Sequence, residues 1–317
     1  MAFPLLLSFV LLGANSPVAT PDPASPPGIA FERYTTRDHL GRTITCYLSR
    51  PPKAAAGKLP VVLFVEGSGR QSLFKKHGDV IFGGLQNLLL SEVKGRARVL
   101  AVEKPGVKFL DAPSRPGSAE GASEEFLKEH TLSRWAEANA AALRAAWTLP
   151  GIDDSRTLAV GHSEGGIVVA RVAAELPKVT HVASLAGGGP TQLFSLAESF
   201  GQGVFAEWTK IQKDPDSTKL WLGHPYRRWS SFCASSVAEE LARSKAKVYL
   251  AQGTKDKNQP ATGHDVLVAE LRSKGRDVTA ERLEGVDHSF GKPDDPPGPP
   301  AGMQALFGRV VDWFLKP

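Results

Sequence analysis

The sequence predicts an α/β fold in which a mostly parallel central sheet carries helices on both faces, with a helical cap inserted above it. Three observations lead there. Strand-like and helix-like segments alternate along most of the chain. Several of the strand-like runs are apolar at every position rather than at every second one, as in strands buried on both faces. A block from Thr191 to Lys245 breaks the alternation and has little strand character.

Phe31 to Thr36 and Thr43 to Ser49 read as an antiparallel hairpin around a turn at Asp38 to Arg42. Leu59-Pro60-Val61-Val62-Leu63-Phe64-Val65 is a continuous apolar strand that ends in Glu66-Gly67-Ser68-Gly69. Phe82, Leu85, Leu88 and Leu89 recur at helical spacing within Ile81 to Val93, and Ala97 to Val102 is the next strand. Leu132 to Trp147 is alanine-rich, with Trp135, Asn139, Leu143 and Trp147 along one side, a helix by propensity and period. Thr157 to Val160 is a short buried strand, followed by a helix from Gly166 to Leu176 that Pro177 stops. His181 to Leu185, Ala246 to Ala251 and Val278 to Leu283 are further strands. His264 to Lys274 and Met303 to Leu315 are helices, the last with Leu306, Val310 and Phe314 on one side.

The interrupting block, about 191–245, holds Phe194, Phe200, Phe205, Trp208, Trp221, Tyr226, Trp229 and Phe232. An insertion at this point of the chain would stand over the carboxyl edge of the sheet, where ligands bind in open α/β folds. Most of these aromatics are expected to build the cap's own core, and as a group to roof the site.

The chain of 317 residues is long enough to bury a large core in one domain, placed at 29–317. Residues 1–28 differ from it. Phe3 to Leu12 is almost wholly apolar and Gly13 to Gly28 is small, polar and proline-rich, the layout of an export signal with a cleavage region and linker, although no Lys or Arg precedes the apolar part. The apolar stretch is too short to span a bilayer. The mature chain is therefore expected to be secreted or periplasmic, without a membrane span or a lipid-bearing cysteine. The net charge of +5 is scattered, with Lys75-Lys76 and Arg227-Arg228 the densest pairs, and reads as solvated surface rather than a nucleic-acid site. Cys46 and Cys233 are expected to be separate buried thiols. Neither has metal-ligand spacing, and no HExxH or paired CxxC occurs.

The chemistry is carried by Gly161-His162-Ser163-Glu164-Gly165, where strand becomes helix. A sharp strand-to-helix reversal puts its central residue in a strained backbone conformation and leaves little room two positions either side, so a serine between two glycines marks a nucleophile elbow. The hydroxyl needs a base and an orienting carboxylate. Asp256 follows the strand ending at Ala251, His288 follows the strand ending at Leu283, and the order Ser163, Asp256, His288 is that of a nucleophile, acid and histidine on successive strand ends. His162 should point into the fold, away from the hydroxyl, while His264 and Asp265 belong to a helix and Asp287 should face elsewhere. An oxyanion hole would draw one backbone N–H from Glu164 and a second from Ser68, with Gly69 as the alternative.

Gly161 to Gly166, Gly67-Ser68-Gly69, Gly253-Thr254-Lys255-Asp256 and Asp287-His288-Ser289-Phe290 together resemble the α/β-hydrolase superfamily. The likeness runs from about Thr43 to the C-terminus. Within the superfamily the chain is similar to bacterial serine esterases, dienelactone-hydrolase-like and prolyl-oligopeptidase-like enzymes with a GHSEGG elbow. That resemblance implies the α/β-hydrolase fold and hydrolysis of a small acyl ester or thioester through an acyl-enzyme, without metal or organic cofactor. Two alternatives stay open. One is a peptidase or amidase of the prolyl-oligopeptidase-like type, although no large gating domain is read ahead of the hydrolase part. The other is a binding module on a hydrolase shell, against which the intact triad weighs. Many relatives have His-Gly where this chain has Glu66-Gly67, and the carboxylate is expected to pair with Arg70 or meet a substrate amine.

Overall fold

Nine strands form one sheet in the computed structural model, which describes residues 19–21, 28–52, 57–295 and 301–316. The apolar leader Phe3 to Leu12 lies outside the described residues. In chain order, β1 (Thr20–Pro21), β2 (Phe31–Arg37), β3 (Thr43–Ser49) and β4 (Leu59–Val65) precede a small hairpin, β5 (Phe74–His77) and β6 (Val80–Gly83), then α1 (Leu85–Val93) and β7 (Arg98–Val102). Next come α2 (Glu124–Glu129), α3 (Leu132–Ala146), β8 (Ile152–His162), α4 (Glu164–Glu175) and β9 (His181–Leu185). The insertion holds α5 (Gln192–Phe200), α6 (Val204–Lys213), β10 (Leu220–Trp221), β11 (His224–Pro225), α7 (Tyr226–Cys233) and α8 (Val237–Arg243). The chain continues through β12 (Lys247–Gly253), α9 (Ala261–Ser273), β13 (Val278–Leu283) and α10 (Ala301–Leu315).

The sheet order is β1-β2-β3-β7-β4-β8-β9-β12-β13. Every pair from β7 to β13 is parallel, while β1 to β3 join one edge antiparallel. This is the α/β-hydrolase architecture. The unbroken apolar run of β4 follows from burial on both faces. On one face the sheet packs against α3, α4, α8 and α9, with Leu143, Val168, Leu241 and Leu271 in that core. On the other it packs against α1 and α10 through Leu89, Leu306, Val310 and Phe314. Alanines let α3 lie close against the sheet and α4, and Thr131 caps it by accepting from the Arg134 N–H.

Four local differences from the sequence reading have physical causes. Thr20–Pro21, inside the stretch expected to be linker, pairs with Tyr34 and Thr35 as an edge strand. The helix expected from Ile81 begins only at Leu85, because Val80–Gly83 pairs with Phe74–His77 and Gly83-Gly84 divides hairpin from helix. The strand expected at Thr157 to Val160 starts at Ile152, since Ile152 and Asp153 pair with Leu59 and Pro60 although Asp153 to Arg156 carry no apolar signal. Within the insertion, α5 to α7 share a separate core of Leu196, Val204, Ile211, Tyr226, Trp229 and Cys233, but Phe232 and α8 belong to the main core beside α4. Cys46 and Cys233 are free buried thiols in different clusters, and burial pushes both up to about 12. No helix among the described residues is long and apolar enough to cross a membrane.

Candidate active site

β8 ends at His162 and α4 begins at Glu164, so Ser163 alone makes the reversal, with φ 56° and ψ −124°. A side chain in that region costs of order 1–3 kcal/mol and persists only where its surroundings enforce it. Here the Ser163 N–H donates to the Leu185 carbonyl at 2.8 Å, and the Ser163 carbonyl accepts from Gly166 N–H at 2.9 Å. A Cβ at Gly161 would overlap the Gly165 carbonyl, and one at Gly165 would overlap the carbonyl of Val65. The two glycines record how closely the start of α4 lies over β4 and β8.

The parallel sheet delivers the carboxyl ends of β4, β8, β12 and β13 to one edge, and there Ser163, Asp256 and His288 meet. His288 Nε2 is 2.9 Å from Ser163 Oγ, and His288 Nδ1 is 2.7 Å from Asp256 Oδ2. A carboxylate can only accept, so Nδ1 carries the proton and Nε2 is left to accept from the serine hydroxyl. Asp256 Oδ1 accepts from the N–H groups of Asn258 and Gln259 at 2.8 and 2.9 Å, and Gln252 Nε2 donates to Oδ2 at 2.7 Å. Burial alone would raise the Asp256 pKa. The His288 hydrogen bond and charge, with the two backbone donors, bring it below the ordinary value.

The competing residues lie elsewhere or do other work. Asp287 accepts from Ser289 and Gly291 N–H groups and shapes the His288 loop. His264 lies within α9, 3.5 Å from Asp265, which also pairs with Arg282. His162, expected to point into the fold, reaches the site instead: its Nε2 is 2.8 Å from the His288 carbonyl oxygen, and it lines the same cavity as Ser163.

Ser68 and Glu164 flank the nucleophile. The Glu164 N–H opens α4 and has no intrahelical acceptor. The Gly67 backbone passes so near Ser163 that a Cβ there would lie 3.3 Å from the serine Cβ. The loop is tied from beneath: Lys104 Nζ donates to the carbonyls of Gly67 and, at 2.9 Å, Gly69, while Gln71 Nε2 donates to the Ser68 carbonyl at 2.8 Å. The expected Glu66–Arg70 pair does not form. Arg70 Nε donates instead to the Glu120 carbonyl at 3.0 Å, and Glu66 lines the cavity, its pKa raised by burial against the opposing charges of Lys104 and Lys75.

Sequence reasoning missed the side chain of Glu164. It is 1% exposed, with Oε1 2.8 Å from His130 Nε2 and 3.9 Å from Lys104 Nζ. Oε2 accepts from Arg228 Nε and Nη2 at 3.0 and 2.9 Å. Burial opposes ionisation, but His130, Arg228 and Lys104 hold the carboxyl well below the usual range. Arg228, read as solvated surface from its place in Arg227-Arg228, is buried between the rings of Trp229 and Phe232. Arg227 takes the surface role and pairs with Asp216. The one available signal was an acidic residue in the first turn of a helix, which the helix dipole favours.

A cavity of about 570 Å³ opens over Ser163 and His288, with Leu85 beside them and Leu196, Phe200, Leu222 and Trp229 contributed by the insertion. Of the expected roof aromatics, Phe200 and Trp229 reach it. Among the described residues no group of His, Cys, Asp and Glu side chains is placed to hold a metal ion.

The chain belongs to the prolyl oligopeptidase family, which matches residues 126–311, and this places it among the serine hydrolases. No curated protein matches it. Solved structures share the fold. The acylaminoacyl peptidase of Pyrococcus horikoshii is 16% identical with a TM-score of 0.62, the match covering 90% of this chain and 42% of that one. This chain thus spans about two fifths of that peptidase. Est1E from Butyrivibrio proteoclasticus is 15% identical with a TM-score of 0.56, covering 90% of this chain and 98% of that one. A puromycin-hydrolyzing peptidase of Mycobacterium tuberculosis is 19% identical with a TM-score of 0.58, covering 90% and 39%.

Proposed function

We propose that this serine hydrolase cleaves carboxylic esters or thioesters through an acyl-enzyme. The reading rests on one observation, the unbroken chain from Ser163 Oγ through His288 to Asp256 beside a cavity lined by polar and apolar side chains alike. Ser163 attacks the acyl carbon while His288 Nε2 takes its proton and later returns it to the leaving group. Asp256 holds the imidazole tautomer and offsets its charge when protonated. The N–H groups of Ser68 and Glu164 receive the tetrahedral oxyanion. Water then repeats the sequence on the acyl-enzyme. The apolar insertion residues seat the acyl chain, and no metal or organic cofactor takes part. Replacing Ser163 with Ala and assaying p-nitrophenyl acetate and butyrate tests this. Turnover should fall to the background rate, and turnover equal to the parent would remove the assignment.

A second reading, a peptidase or amidase, is favoured by the family match and by Glu66 at the cavity, where it can meet a substrate amine. Matched ester and anilide substrates with one acyl group separate the two, because only an enzyme suited to amides keeps a comparable kcat on the anilide. We also propose that the protein is exported, on the strength of the apolar segment Phe3 to Leu12. N-terminal sequencing of the protein from the culture medium or periplasm decides it, and an intact Met1 on material confined to the cytoplasm overturns it.

A further inference from the structure

We propose that Lys104 and Glu164 are positioning residues that aim the two oxyanion donors, joined through one buried charged network to Arg228 of α7. This deepens the serine-hydrolase reading and rests on it. A trans peptide points its C=O and N–H in opposite directions. The Gly67 carbonyl and the Ser68 N–H belong to one peptide, and Lys104 Nζ takes that carbonyl from below. The Ser68 N–H is thereby turned away from Lys104, and the loop that carries it runs against Ser163. Lys104 also holds the Gly69 carbonyl, so the peptide cannot flip without leaving a buried ammonium short of acceptors.

The second donor is fixed through its own side chain. Glu164 is gripped by the Arg228 fork on one oxygen and by His130 on the other, so residue 164 is held from the insertion and from the α2–α3 junction at once. A forked guanidinium–carboxylate pair fixes direction as well as distance. Lys104, 3.9 Å from Glu164 Oε1, links the two halves. All four side chains are 5% exposed or less, which keeps the charges unscreened. Lys104 and Arg228 both face the ionised Glu164 carboxylate, and Glu66 and Glu103 are further carboxyls near Lys104.

The test is pre-steady-state acylation by p-nitrophenyl acetate in the full chain, comparing the parent, Lys104→Met, Glu164→Gln and Ser163→Ala. Loss of an aimed oxyanion donor lowers the acylation rate constant by about 10²-fold or more. Lys104→Met should approach that, and Glu164→Gln, which keeps the backbone donor but loosens its aim, should lose about tenfold. The substrate binding constant should stay within about threefold in both, because the donors act on the transition state. An acylation rate within twofold of the parent in both variants overturns the proposal while leaving Ser163 as nucleophile. If Lys104→Met does not fold, Glu164→Gln, nearly identical in shape, decides alone. Activity unchanged in Ser163→Ala would instead overturn the hydrolase reading, and this proposal with it.

Discussion

The ring of His162, the residue before the nucleophile, hydrogen-bonds the backbone carbonyl of His288 at 2.8 Å, with the two ring centres 5.0 Å apart. Burial pushes the His162 pKa down to about 4, so the ring is neutral at neutral pH, and because a carbonyl only accepts, its proton sits on Nε2. The loop carrying His288 is therefore pinned at the peptide of His288 itself. Removing the donor strands a carbonyl beside the site and frees the imidazole to drift, and small misplacements of a base are expensive in rate. His162→Ala should lower kcat about tenfold or more. His162→Gln, whose amide nitrogen can donate along the same line, should lose less. Equal kcat in the parent and His162→Ala would show that other contacts hold the loop.

The same histidine makes stability depend on pH. Its folded pKa of about 4 lies below the ordinary histidine value of 6.5, so between these limits the unfolded chain binds the extra proton. Its contribution is complete above pH ~6.5 and is lost as pH falls toward 4. From pH 7 to pH 5 the loss is about 2 kcal/mol for one such group. His181, also lowered to about 4 by burial and by the charges of Lys247 and Arg156, adds a loss of the same sign in the same window. Urea unfolding across that range should show the fall, and His162→Gln should flatten part of it. A slope unchanged by His162→Gln would mean that the imidazole titrates normally in the folded protein.

Where the sequence was legible, a physical regularity linked local pattern to position. Strands buried on both faces have few polar positions, so the unbroken apolar run Leu59 to Val65 stands out. Parallel strands place their carboxyl ends together, so Ser163, Asp256 and His288 could be brought to one edge from chain order alone. The first half of β8 was illegible because Ile152 and Asp153 are extended through pairing with Leu59 and Pro60, while Asp154 to Arg156 form an irregularity in the ladder before pairing resumes at Thr157. The Glu164 network was illegible for a related reason. Glu164 and Arg228 lie 64 residues apart, and nothing local distinguishes a buried Arg228 from its half-buried neighbour Arg227. Burial of a charge is a property of the assembled fold, and only there do its partners arrive together.

The elbow glycines give a prediction about packing. A Cβ at Gly165 would overlap the Val65 carbonyl and come within 2.9 Å of the Glu66 carbonyl oxygen, and both are backbone that a rotamer change cannot move aside. Gly165→Ala must lift the start of α4 off β4, carrying the Glu164 N–H with it. The expected cost is about 1–3 kcal/mol from overpacking, together with loss of most of the activity. Gly57, with nothing within 4 Å of its would-be Cβ, serves as the control, and Gly57→Ala should change neither quantity. Thermal melts and ester assays on the two variants check the contrast, and an active, fully stable Gly165→Ala would show that the elbow has slack.

Arg228 and Glu164 should be worth far more to stability when one is removed than when both are. Taking away one partner of a buried pair strands the other charge and costs about 3–5 kcal/mol, whereas replacing both by neutral groups of similar shape is often close to neutral. Arg228→Met leaves the Glu164 carboxylate only His130 and Lys104, and the sandwich of the Arg228 guanidinium between Trp229 and Phe232 becomes a thioether packed on rings. The single variant should therefore fall near the lower end of that range. Arg228→Met combined with Glu164→Gln should recover part of the loss. Denaturant unfolding of the two single variants and the double yields the coupling directly, and additive losses would mean that the fork contributes no interaction beyond packing. Salt supplies a second check. The exposed Lys178–Asp154 pair is open to solvent screening, so Lys178→Met should leave stability unchanged, while the buried fork should be insensitive to added salt.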